Sequence, residues 1–256
     1  MTSLSSAGGM AETSPMISVR IIGAGHAGQS FAAALEDVGC DVRGVLTRGD
    51  DLSGAALGVD ALLLATPDAV VSSVAQNVEV HSGTVLVHLS GSLSLDVLRP
   101  HVRRASLHPL APLPLAEVGR RRLQDHIVYA VAGDSLAREI VALLGGEAMS
   151  VSESDRAAYH AAACIAANHV VGLMGQVARI AGGIGLELEP FVQLARYALD
   201  DVSALGPLGA LTGPVARGDE ETVGGHRFSL PEDELTGYDA GVALIRQLLR
   251  ESASDT

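Results

Sequence analysis

The chain has no lysine: all 17 of its basic residues are arginine. That excludes a Schiff-base mechanism, a Walker-type lysine and a lysine general acid. Cysteine is nearly absent too, with Cys40 and Cys164 far apart, as in a reduced, cytoplasmic protein. Both read as small core residues rather than nucleophiles. Positive charge is scarce overall, and the formal net charge is −13. So acidic a surface repels nucleic acid and anionic membranes, so neither is expected as a partner, and a small molecule is. The segment MTSLSSAGGMAETSP has no basic n-region and no apolar h-region, and reads as a disordered tail over 1–16. The apolar stretch 161–186 is interrupted by Asn168, His169, Gln176 and Arg179, which argues for a buried helix over a membrane span. No internal repeat and no cluster with metal-ligand spacing is present; no metal is expected.

What is present begins at Val19, where VRIIGAGHAG joins an apolar run to Gly23, Gly25 and Gly28. A helix-compatible run, 29–38, follows. Gly23 permits a tight strand-to-helix turn, Gly25 lets a diphosphate approach the backbone, and Gly28 lets helix and strand pack closely. The backbone N–H groups of His26 and Ala27 then lie at a helix N-terminus, which favours an anion. Three glycines alone are a weak signal; after a strand and before a helix they point to dinucleotide binding.

Short apolar runs recur at 18–22, 42–46, 61–65, 84–89, 105–107, 127–131 and 148–151. Helical stretches are expected at 28–38, 68–76, 93–98 and 135–144. Strands alternating with helices predict an α/β domain with a doubly wound, mostly parallel sheet of Rossmann type. After residue 151 no β-run remains. One long Ala-rich helix is expected at 156–184, with further helices near 190–205 and 232–251. The division expected is a dinucleotide-binding domain over 17–151 and an all-helical domain for substrate binding and dimerisation over 152–256.

The second strand ends at Leu46-Thr47-Arg48. An acidic residue at this place, about 20 residues past the glycines, would accept from the ribose 2′-OH of NAD. Thr47 and Arg48 instead suit a 2′-phosphate, so NADP is the cofactor expected, although Asp50 and Asp51 follow closely. Thr66 and Ser90 stand at the ends of the third and fourth strands and are expected to line the cleft. His108, fixed in extended backbone by Pro109, is a candidate acid. On the long helix, His160, Cys164 and Asn168 fall one turn apart on one face. Thr212, Gly213 and Arg217 lie in a polar, Gly-rich segment suited to a carboxylate. The run Arg120-Arg121-Arg122 reads as a solvated loop.

The motifs GAGHAG, LLLATPD, HLSGS, SLHPL, YHAAACIAAN and LTGPVARGDEET resemble a bacterial family with a Rossmann-like N-domain and a helical C-domain of undefined function. The two-domain plan is similar to pyrroline-5-carboxylate reductase, ketopantoate reductase and the β-hydroxyacid dehydrogenases, and its second half to 6-phosphogluconate dehydrogenase-like C-terminal domains. Over the N-domain it also resembles deazaflavin-dependent NADP oxidoreductases. The resemblance implies an NADP-dependent oxidoreductase acting on a small 2-oxo or imino acid, ketopantoate being one example, and a homodimer. In β-hydroxyacid dehydrogenases a catalytic lysine precedes an asparagine by one turn. Asn168 fits the asparagine, but Cys164 holds the lysine's place, so the proton falls to His160 first, or to His108, Tyr159 or water. The missing lysine also motivates an alternative, a non-catalytic protein that binds or senses a dinucleotide.

Overall fold

Seven short runs become seven strands, and the central ones, at 61–64 and 85–88, are buried on both faces. A computed structural model describes residues 16–254; all but one residue of the expected tail lies outside them. The first unit runs to Ala163 and contains β1 (Ser18–Ile22), α1 (His26–Asp37), β2 (Asp41–Leu46), β3 (Ala61–Leu64), α2 (Asp68–Gln76), β4 (Val85–His88), β5 (Arg104–Pro109), α3 (Ala116–Leu123), β6 (Val128–Gly133), α4 (Leu136–Leu143), β7 (Glu147–Ser150) and the start of α5 (Arg156–Cys164). The strand order is β2-β1-β3-β4-β5-β6-β7. All neighbours pair in parallel except β5 and β6. The chain reverses direction across the sheet at β1, between β2 and β3, so the carboxyl ends of β1 and β3 flank the switch point where ligands bind in such sheets.

Two apolar layers hold the sheet. Phe31, Ala34 and Leu35 of α1 pack with Ile21, Leu63, Val87, Leu107 and Ile140 on one face. Val71 and Ala75 of α2 pack with Leu62, Leu64, Leu86 and Leu98 on the other. Phe31 and Leu35 are fully buried; burying each contributes roughly 1.5–3 kcal/mol.

The second unit, from Cys164, is helical: α6 (Val170–Gly183), α7 (Glu189–Gly209), α8 (Glu220–Ser229) and α9 (Glu232–Ser254). Among the described residues no strand follows Ser150. Glu234 of α9 is nearly buried; its carboxylate accepts from the Arg179 guanidinium of α6, and its backbone carbonyl accepts from the Gln176 side-chain amide at 2.7 Å. Those bonds hold its carboxyl below the usual range, with Arg179 the main cause.

Three expectations change. The helix expected at 93–98 is only a 3₁₀ turn, Leu95–Leu98, cut short before Pro100. The Arg120–Arg122 run lies on α3, not in a loop. Gly119 hid the helix, and Arg120 reaches across to Asp37 of α1 with a two-pronged ion pair. Thr222 and His226 lie on α8, which stands where no helix was expected. It carries Gly224 and Gly225, and Asp219 caps it by accepting from the Thr222 amide at 3.0 Å. The compact units divide between Ala163 and Cys164, the first turns of α5 packing with the sheet's unit.

The helix from Arg156 to Gly183 is long and apolar enough, by length and composition, to cross a membrane. It was expected to be buried, yet on α6 only Ala181 is. Val171 is 72% exposed in the single chain.

Candidate functional site

The glycine turn does what its spacing requires. Gly23 sits at φ +113°, and its N–H donates to Leu46 O at 2.8 Å. A Cβ there would lie 2.4 Å from Ala65 O, so the turn is pressed onto the end of β3. A Cβ on Gly28 would lie 1.8 Å from Gly23 O. Gly25 differs: its φ is an ordinary −71°, and a Cβ on it would meet nothing within 4 Å. It caps α1 without any side-chain bond, and no acidic residue occupies the first turn. The first amides of α1 therefore carry positive partial charge at an exposed rim, with no acidic residue in the first turn to meet it. Exposed His26 and half-buried Ala27 lie at this rim.

At the end of β2, Thr47 turns inward on itself. Its amide and hydroxyl donate to Asp50 Oδ2 at 2.6 and 2.9 Å, which holds Asp50 below the usual carboxylate range. Asp51 is similarly engaged by Ser53. Arg48 is left exposed, with no hydrogen bond or ion pair among the described residues.

At the end of β3, the Thr66 hydroxyl oxygen is buried and has no hydrogen-bond partner in the chain. Ser90, expected beside it as a ligand, is committed elsewhere. Its hydroxyl donates to Asp68 at 2.6 Å and accepts from the Ser92 and Leu93 amides. It builds the turn after β4.

A second group gathers where β4 and β5 end. Residues 156, 159 and 160 share a helix face, and α5 thereby presents Arg156, Tyr159 and His160 to these strand ends. His108 Nδ1 and Tyr159 Oη lie 2.7 Å apart in a hydrogen bond whose donor depends on the tautomer. The rings of His108 and His160 meet edge to face, centroids 5.7 Å apart. Gly91 makes this possible, since a Cβ there would come within 2.6 Å of His160 Nδ1 and 3.0 Å of His108 Nε2. Burial pushes His108 down to about 4, helped by His160 and Arg156. His108 is thus neutral at neutral pH. Burial raises the Tyr159 hydroxyl above its ordinary value. Arg156 is 2% exposed, and Nη2 donates to Ser90 O at 3.2 Å.

His88, Gly91, Asp68 and Arg156 went unnoticed in the sequence. His88 is fully buried with neither ring nitrogen well bonded, and burial, then the Arg156 charge, pushes it down to about 4. The legible signal was a lone histidine inside the apolar run VLVHL.

The remaining expected residues belong to the second unit. Asn168 is exposed within a π turn, Ile165–His169. That turn takes one more residue than an α turn, so it locally widens the helix between Cys164 and Val170. Thr212 and Arg217 are exposed, and Gly213 has φ +96°. Among the described residues no group of three or more His, Cys, Asp or Glu is placed to hold a metal.

Solved structures share this fold. A candidate NADP oxidoreductase of Bacteroides fragilis is 18% identical with a TM-score of 0.76, covering 91% of this chain and 98% of its own. Protein TM1727 of Thermotoga maritima is 26% identical with a TM-score of 0.71, covering 92% and 99%. Pyrroline carboxylate reductase of Plasmodium falciparum, solved with NADP bound, is 13% identical with a TM-score of 0.60, covering 89% and 96%. No curated protein matches the chain by sequence. Residues 130–244, from within β6 into α9, match the family described as "Domain of unknown function (DUF2520)".

Proposed function

We propose that the protein is an NADP-dependent oxidoreductase that reduces a small 2-oxo or imino acid in the cytoplasm. The observation that carries the reading is Gly25. Nothing in the chain requires a glycine there, since its backbone is ordinary and the space beside it is open. A bare position at a helix N-terminus makes sense if a diphosphate lies against it. The orphaned Thr66 hydroxyl at the adjoining strand end fits the same occupant. The amides of His26, Ala27 and Gly28 would hold the diphosphate, and unpaired Arg48 would meet the 2′-phosphate. Thr47, already bonded to Asp50, would shape the turn. A bound nicotinamide would supply the hydride.

For the proton, His160 remains the first choice, packed against His108 and Gly91. Neutral His108 would orient Tyr159. Asn168, Thr212, Gly213 and Arg217 would serve substrate from the second unit. Exposed apolar side chains of that unit support a homodimer. The second reading, a dinucleotide sensor, is favoured by the absence of any lysine.

Calorimetry with NADPH and NADH, followed by turnover on a panel of 2-oxo acids, tests the proposal. NADPH is expected to bind the more tightly, and Arg48→Ala to weaken NADPH by about tenfold or more while sparing NADH. No heat with either nucleotide overturns the oxidoreductase and the sensor together. Tight binding without turnover on any acid selects the sensor.

A further inference from the structure

The least satisfied charge in the described chain is Arg156. A guanidinium stays charged in proteins, and burying one without an anion is costly. Arg156 is 2% exposed, yet Nε and Nη1 have no hydrogen-bond partner, and Nη2 has only the neutral carbonyl of Ser90. It forms no ion pair among the described residues. Asp68, which shares its surroundings, has spent Oδ2 on the hydroxyls of Ser90 and Ser92. Glu153 and Asp155 flank it in sequence but are exposed. Its donors therefore stay unused at the carboxyl edge of the sheet, one helical turn before Tyr159 and His160.

We propose that Arg156 is the seat for the carboxylate of the substrate, a short 2-oxo or imino acid whose reacting carbon then lies toward Tyr159 and His160. This rests on the oxidoreductase reading and replaces Arg217 as the principal carboxylate ligand. Nε and Nη1 each share an edge of the planar guanidinium with Nη2, which gives only one of its two hydrogens to Ser90 O, so either free nitrogen with the second Nη2 hydrogen makes a fork that matches a carboxylate's two oxygens. So closed a guanidinium suits a small planar group better than a phosphodiester with two substituents. The same charge opposes protonation of His88 and His108, keeping both rings neutral beside it.

The test uses the full chain, oxamate as an unreactive 2-oxo acid mimic, and its ethyl ester as the neutral control. Calorimetry follows oxamate and, separately, NADPH. The wild type is expected to bind oxamate and ignore the ester. Arg156→Met, similar in length and apolar, is expected to stay folded, with melting temperature unchanged or raised because an unpaired buried charge is gone. It should lose oxamate affinity by about tenfold or more while keeping NADPH affinity. Arg156→Lys should recover part of the oxamate binding. Equal oxamate affinity in wild type and Arg156→Met overturns the proposal, as does equal binding of acid and ester by the wild type. A loss confined to NADPH also overturns it, since the anion would then be the cofactor's phosphate. Should Arg156→Met fail to fold, the acid-to-ester comparison and the lysine variant decide. NADPH binding without Arg156-dependent oxamate binding sinks only this inference. Arg156-dependent oxamate binding without any NADPH binding sinks only the dinucleotide reading.

Discussion

At the scale of single residues, the three glycines of the turn separate by what they touch. Gly23 and Gly28 are demanded by the chain, because a Cβ on either would strike backbone oxygen. Gly25 is demanded by nothing in it, and the two situations predict opposite behaviour. Gly25→Asp places a good cap and a negative charge at the start of α1. It is expected to stabilise the fold by up to about 1 kcal/mol and, by repelling a diphosphate, to cut NADPH affinity more than tenfold. Gly28→Ala is expected to destabilise outright. Denaturant unfolding and calorimetry on the two variants check this; a Gly25→Asp variant that binds NADPH normally would empty the proposed seat. His88 gives a pH prediction. Its folded value, about 4, lies below the ordinary 6.5, so the unfolded chain takes up the proton first. Its contribution is whole above pH 6.5 and drains as pH falls toward 4, by about 3 kcal/mol. Unfolding measured at pH 7 and 4.5 should show that loss in the wild type and less of it in His88→Leu. An identical loss in both would remove the burial explanation. Gly23, Gly25 and Gly28 were legible in sequence because their reason is local. The burial of His88 showed in its apolar run, but its unbonded ring and the unbonded guanidinium of Arg156 did not, because an unbonded polar group is defined by what other strands fail to bring to it.

At the scale of elements, α3 shows where local reading stops. It follows a stretch with Pro109, Pro112 and Pro114 and contains Gly119 and three consecutive arginines, so nothing in its own sequence says helix. What makes it one is α1. A Cβ on Gly119 would lie 2.1 Å from Ser30 Oγ and 2.8 Å from Ser30 Cβ, so the two helices touch at their smallest residues. Arg120 then closes the contact onto Asp37. Gly119→Ala is expected to cost about 1–3 kcal/mol by overpacking. Ser30→Gly in the same chain should recover part of that loss, though glycine carries its own helix penalty of roughly 1 kcal/mol. Additive destabilisation in the double variant would show that the two helices do not meet there. The central parallel strands β3 and β4 were legible because burial on both faces writes a continuous apolar run into each. The helix at 220–229 was not, since Gly224 and Gly225 break its pattern while Asp219, a tertiary-independent cap, supplies the only start signal.

At the scale of the whole molecule, the apolar side chains of the second unit pose a question of solvent. On α7, Leu194 is 62% exposed, Tyr197 59% and Leu205 63%, and no residue of that helix is buried. A chain in water rarely leaves so many large apolar groups bare without a partner. A helix that is apolar yet uncovered reads in sequence as buried, which is why the expectation of a buried helix failed within one chain: the cover, on this argument, comes from a second copy. Sedimentation should then give about twice the single-chain mass of 26.2 kDa. A closed twofold pairing repeats the same patch on both partners, so every substitution counts twice. Leu194→Glu with Leu205→Glu should therefore yield monomer at micromolar concentration. Because the glycine turn belongs to the sheet unit, that monomer should still take up NADPH. A wild-type chain sedimenting at 26.2 kDa over the same concentrations would refute the dimer. A monomeric variant that had also lost NADPH binding would instead show that pairing shapes the cofactor seat.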